Sequence, residues 1–144
     1  MHYAVCRAAG WPVCGPPPQD LIGAVPRRAI LDYLAGELGW GIEHAPEACA
    51  VLSACRAVVY LTDHKIVSKI AGGQAVLSHG TGPAKVIERA LAQQCGSEPG
   101  QPPADDAVSF VLATAAMLRS AADDEPAGRR TGPAMRPGGR GDFS

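Results

Sequence analysis

In the stretch EACAVLSACRAVVYLT, Arg56 is the only charged side chain between Ala48 and Leu61. A guanidinium set in so apolar a helix has to meet an anion, because burying a charge without a partner is strongly unfavourable. Two sources fit the spacing. One is a carboxylate of the chain itself, from Glu37, Glu43, Glu47 or Asp63; the other is a phosphate or carboxylate of a ligand, which arginine's planar fork suits well. Lys69 follows Ser68, a residue fitted to cap a helix N-terminus. A lysine in that first turn faces the positive end of the helix dipole, where an acid is preferred. Either it is an exposed side chain with a small local cost, or it joins Lys65 and the free N–H groups there in holding a phosphate chain. Trp40, near a helix end, is placed either to stack on a base or sugar or to plug a core. His2, His44, His64 and His79 lack metal-ligand spacing, and the five cysteines form no C-x-x-C.

These side chains need helices to position them, and the apolar periodicity supplies five. From Pro26, Ile30, Leu31, Leu34 and Leu38 recur on one face, and Gly39 is read as the stop. Pro46 and Glu47 open a second run that is apolar on nearly every side, the mark of a central, buried helix; Glu47 also reads as an acid suited to a first turn. Ser68 caps a third helix through about Ser78, in which Gly72 and Gly73 imply close packing. Thr81-Gly82-Pro83 starts a fourth, with Val86, Ile87, Ala90 and Leu91 as its stripe and Gly96 as its stop. A fifth begins near Asp105, with Val108, Val111, Leu112, Ala115 and Leu118 turned inward. The expected fold is an all-α bundle of about five helices over residues 26–121.

Two flanking segments read differently. Residues 1–25 suggest a helical turn and a short strand, a remnant of a larger unit, followed by the proline-rich connector GPPPQDLIGAVP. Residues 122–144 are rich in glycine, proline and arginine without apolar period, and are expected to be disordered.

The chain has 144 residues, 47% of them hydrophobic and 5% aromatic, which suits one domain of closely packed helices. Thirteen Lys and Arg against fourteen Asp and Glu give a net charge of −1, so there is no bulk cationic field to hold nucleic acid or an anionic membrane. No stretch has the form of a secretory signal or a membrane span, and the unpaired cysteine count points to a reducing, cytoplasmic setting.

The stretches GPPPQDLIGAVPRRAILDYLAGELGW and PEACAVLSACRAVVYLTDHKIVSKIAGGQAVL resemble the C-terminal helical domain of aminoglycoside adenylyltransferases of the streptomycin/spectinomycin-resistance type. The resemblance spans roughly Gly10 to Ala122 and is most specific in the L-x-x-C-R-x-x-x-Y-L … S-K pattern, Leu52 to Lys69. It implies that Arg56 and Lys69 contact the triphosphate of ATP in a cleft between two domains. It also implies acidic residues before the arginine-bearing helix that meet a polycationic drug, the neighbourhood of Glu43 and Glu47, with Trp40 nearby.

The family's other half carries a Gly-Ser pair, a D-x-D that holds magnesium, and a carboxylate base. Asp105-Asp106 and Asp123-Asp124 are adjacent rather than alternating, and Gly96-Ser97 follows the helical region instead of preceding it. They read as a helix cap and a solvated run. Without two metal-holding carboxylates the charge that develops in nucleotidyl transfer is not neutralised. The expectation is therefore a truncated, ATP-contacting helical half, with no catalytic residue of its own, that becomes active only with a nucleotidyltransferase domain supplied in trans. The alternative is a non-catalytic helical module that binds a partner or self-associates through an exposed apolar interface. A third reading, an RNA-binding accessory using the Gly/Arg tail, has only the composition of that tail behind it.

Overall fold

The computed structural model describes residues 2–126. Among them are seven α-helices and no strand: α1 (His2–Ala9), α2 (Pro18–Leu21), α3 (Arg27–His44), α4 (Glu47–Asp63), α5 (Lys69–His79), α6 (Ala84–Gln94) and α7 (Asp105–Asp123). The protein is all-α. The five expected bundle helices are α3 to α7, and α4 is the central one, packing on α3, α5, α6 and α7. Its apolar run explains this position, since Val51, Leu52, Ala54, Cys55 and Ala57 are all fully buried. α3 and α7 pair extensively to close the bundle. No helix of the described residues is long and apolar enough to cross a membrane.

The structure corrects four sequence expectations. The N-terminal segment forms the helix α1 in place of a turn and strand, and α2 is a single turn inside the proline-rich connector. α3 does not stop at Gly39 but runs to His44, and the chain leaves it at Ala45, whose extended backbone (φ −115°, ψ 153°) is the conformation Pro46 imposes on its predecessor. A glycine costs a helix only about 1 kcal/mol, which the burial of Leu38 and Gly41 on either side of Gly39 outweighs. Leu112, expected inward, is exposed, and Thr114 and Ala107 take the inward positions instead. Ala122, assigned to the tail, is 1% exposed inside α7. The rest of that tail, from residue 127 onward, lies outside the described residues.

A Cβ at Gly39 would meet no atom within 4 Å. Gly39→Ala is therefore expected to raise stability by about 0.5 to 1 kcal/mol, seen as a melting point a few degrees higher. An unchanged or lower melting point would show that the mid-helix glycine relieves a constraint that its surroundings do not reveal.

The third helix follows the sequence closely. Ser68 Oγ accepts from Ala71 N at 3.1 Å, and the helix ends at Gly80 with φ 64°, a left-handed conformation that glycine adopts freely. Close packing at the paired glycines is literal. A Cβ on Gly72 would stand 3.0 Å from the backbone nitrogen of Arg56 and 3.2 Å from its Cα, and one on Gly73 would stand 2.8 Å from a Leu52 methyl. Two residues without side chains thus let α5 lie directly on the arginine-bearing turn of α4.

Candidate nucleotide-contacting site

The α4–α5 seam holds both cations singled out by the sequence. Arg56 sits half-buried on α4, backed by Gly72 of α5. Lys69 is the first residue of α5, one helical turn before Gly72, and its Nζ donates to Cys49 Sγ at 2.7 Å. Cys49 and Arg56 are seven residues apart on α4, hence on one face two turns apart. Ser53 lies on that same face between them, and its hydroxyl donates to Glu37 Oε1 of α3 at 3.3 Å.

The ion-pair explanation of Arg56 fails residue by residue. Glu47 is held by Arg89, Glu37 receives the Ser53 hydroxyl, and neither Glu43 nor Asp63 bonds the guanidinium; among the described residues Arg56 makes no salt bridge. Its Nε is buried and, among the described residues, has no hydrogen-bond partner. Buried polar groups nearly always find a partner in the protein or in water, so this charged donor is available to an acceptor from outside the bundle. Lys69 is only lightly engaged, because a thiol sulfur is a weak acceptor that an anionic oxygen would displace. The N–H groups of Lys69 and Ile70 have no acceptor among the described residues, so two further donors stand at this helix start. Lys65 lies exposed in the preceding loop.

The residues expected to meet a drug are not brought together. Trp40 is 60% exposed on α3 and stacks on His44, with ring centroids 5.0 Å apart and planes 9° apart, so it is no core plug. It borders a groove with Asp32, Tyr33, Gly36 and Glu37. Glu43, also exposed, borders a separate groove with His44, Pro46, Gln101 and Pro103. Glu47 points inward and is 1% exposed. Arg89 of α6 grips it in a fork, Nε to Oε1 at 2.5 Å and Nη2 to Oε2 at 3.1 Å; Gln93 Nε2 adds a bond at 3.3 Å and the Ala104 N–H one at 2.9 Å. Arg89 Nη2 also reaches Asp106 at the start of α7, at 3.0 Å. Burial by itself would push the Glu47 carboxyl up, but the Arg89 and Ala104 hydrogen bonds and the Arg89 charge outweigh it and hold the group below its ordinary value. Glu47 is thus a clasp joining α4, α6 and the entry to α7. Sequence reasoning missed its partner, although Arg89 and Gln93, four residues apart on α6, give a polar pair on one face that could have signalled a buried acid.

Five helices, packed around a central one whose half-buried arginine meets no carboxylate among the described residues, define a helical bundle domain with two cations along its α4–α5 seam. The family described as aminoglycoside adenylyltransferase, C-terminal domain, matches residues 20–123, and the chain belongs to that family. Comparison with curated proteins and with solved structures gives no match.

Proposed function

We propose that this chain acts as the ATP-contacting helical half of an aminoglycoside adenylyltransferase, in which adenylyl is transferred from ATP to a drug hydroxyl and resistance results. The observation that carries the reading is the orphaned Nε of Arg56, buried beside a helix start that offers Lys69 and free N–H groups. Arg56 would take a phosphate oxygen in the plane of its fork, and Lys69 would leave Cys49 to take a second. Their part in the reaction is to hold the triphosphate and neutralise its charge. Among the described residues, no group of three His, Cys, Asp or Glu side chains is placed to hold a metal ion. We therefore assign magnesium, and the base that activates the drug hydroxyl, to a nucleotidyltransferase domain acting with this one in the cytoplasm. Trp40 and Glu43 are the exposed residues we assign to the aminoglycoside; Glu47 serves it only indirectly, by fixing the start of α4.

Calorimetric titration with magnesium-ATP at millimolar concentration, with and without a nucleotidyltransferase domain in trans, tests the reading. Arg56→Ala and Lys69→Ala should each weaken nucleotide binding about tenfold or more, the worth of one charge-assisted hydrogen bond, while melting points stay nearly unchanged. Equal adenylylation by a supplied domain when both residues are alanine would refute it. The alternative, a non-catalytic module that self-associates, draws on the exposed Tyr3, Trp11, Val13 and Leu21 of the N-terminal segment. It requires a concentration-dependent oligomer and no nucleotide effect of either substitution.

A further inference from the structure

The lysine of the seam has a second possible chemistry that owes nothing to nucleotides. Its Nζ lies 2.7 Å from Cys49 Sγ, a separation ordinary between nitrogen and oxygen but short for the larger sulfur atom. It is too long for a direct S–N bond, and it matches the span of two single bonds that meet at one bent oxygen. The backbones that carry the two groups are held together. Lys69 is anchored in the capped first turn of α5, and Gly72 and Gly73 seat that helix against α4 without intervening side chains. Both residues are half-buried.

We propose that Cys49 and Lys69 form an oxidative cross-linking site, in which peroxide joins Sγ to Nζ through a single oxygen and pins α4 to α5. Two equivalents of hydrogen peroxide balance the reaction. In the first step the Cys49 sulfur attacks peroxide; its O–O bond breaks, the thiol becomes a sulfenic acid, and one water leaves. In the second, the Lys69 ammonium gives up a proton to solvent, and the free amine so formed attacks another peroxide, becomes an N-hydroxylamine, and releases a second water. Condensation of S–OH with HO–N then expels a third water and leaves S–O–N. Sulfur and nitrogen are each oxidised by two electrons, and both peroxides are reduced to water. A thiol reductant returns the thiol and the amine by the reverse electron flow.

The other cysteines lack this arrangement. Cys6, Cys14 and Cys95 are exposed, and among the described residues none has an amine within hydrogen-bond distance. Cys55 is fully buried, and its desolvated thiol is pushed up to about 12, so it keeps its proton. The bridge would also remove the Lys69 charge; any loss of ATP affinity on oxidation rests on the function proposed above, whereas the bridge itself does not.

The test treats the full, reduced chain with peroxide, quenches it with catalase, digests it with trypsin without reductant, and sequences the peptides by mass spectrometry. The expected product joins residues 29–56 to residues 66–85, with the bond after Lys69 uncut. Its mass exceeds that of the two peptides together by one oxygen and falls short by two hydrogens. It should vanish on treatment with a thiol reductant, and be absent from Cys49→Ser and from Lys69→Arg, each confirmed as folded by circular dichroism. Recovery of Cys49 as sulfinic or sulfonic acid in a free 29–56 peptide, with Lys69 cleaved normally, would overturn the proposal. So would a joined species that persists in Cys49→Ser, since Cys55 shares that peptide. If the bridge forms while ATP affinity is unaffected by oxidation, the cross-linking site stands and the triphosphate role of Lys69 fails.

Discussion

Glu47→Gln is expected to destabilise the protein by about 1 to 3 kcal/mol, because it removes the charge of a buried carboxylate held by a fork of hydrogen bonds, while Arg89, 30% exposed, keeps Asp106 as a partner. The loss should exceed that from Asp106→Asn, whose side chain is 54% exposed and shares Arg89 only at the rim. The effect also has a pH signature. The folded-state carboxyl titrates below the ordinary value of 4.5, so the unfolded chain binds the proton more readily. The contribution is therefore complete above about pH 5 and is lost as the pH falls through the ordinary value toward the lower, folded one. Asp106, also held low by Arg89, adds to the same slope. Urea unfolding midpoints measured from pH 6 to pH 3 should fall more steeply for the native sequence than for Glu47→Gln. Parallel slopes would mean that other carboxylates dominate acid unfolding.

The second large effect is expected at Gly72. A leucine there must place its Cβ within 3.0 to 3.2 Å of the backbone of Arg56, which cannot swing aside as a side chain end can. Overpacking of this kind costs about 1 to 3 kcal/mol, set against about 1 kcal/mol regained from the better helix propensity of leucine. The same wedge lifts α5 away from α4, so that Lys69 loses Cys49 and Arg56 loses its backing. Gly72→Leu should thus lower stability and abolish both nucleotide binding and the oxidative cross-link in one substitution. Gly73→Ala meets the side-chain ends of Leu52 and Leu91 and no backbone among its nearest atoms, and should be milder on every readout. A Gly72→Leu protein that melts and binds as the native one does would show that the two helices are not held at this contact.

The helices were legible in the sequence where local chemistry decides them. Pro46 and Glu47 opened α4, Ser68 capped α5, and an apolar surface on every side of residues 48–61 placed α4 at the centre. Reading failed where tertiary contacts overrule propensity. Gly39 looks like a stop, yet α3 continues through it because packing on both sides outweighs one glycine. Leu112 and Ala107 exchange roles on α7 since a stripe read by period alone cannot fix the rotation of a helix to within one residue. In the candidate site, Arg56 and Lys69 were visible as cations in the wrong surroundings. The partner of Glu47 was hidden because Arg89 lies 42 residues away in sequence, and no local pattern joins them. Cys49 was hidden for the same reason: it contacts Lys69 across a separation of 20 residues.

The bundle begins and ends in the same place. Arg27, the first residue of α3, bonds Glu125, just past α7, and Arg28 lies 3.7 Å from Asp123. A ring of helices whose two ends touch has no obligatory starting point. Joining those ends with a short linker and opening the chain in the exposed segment 97–100 would give α7–α3–α4–α5–α6 in order, with the seam and the clasp preserved. Connectivity and packing are thus separable in this fold, and a circularly permuted gene could encode the same site.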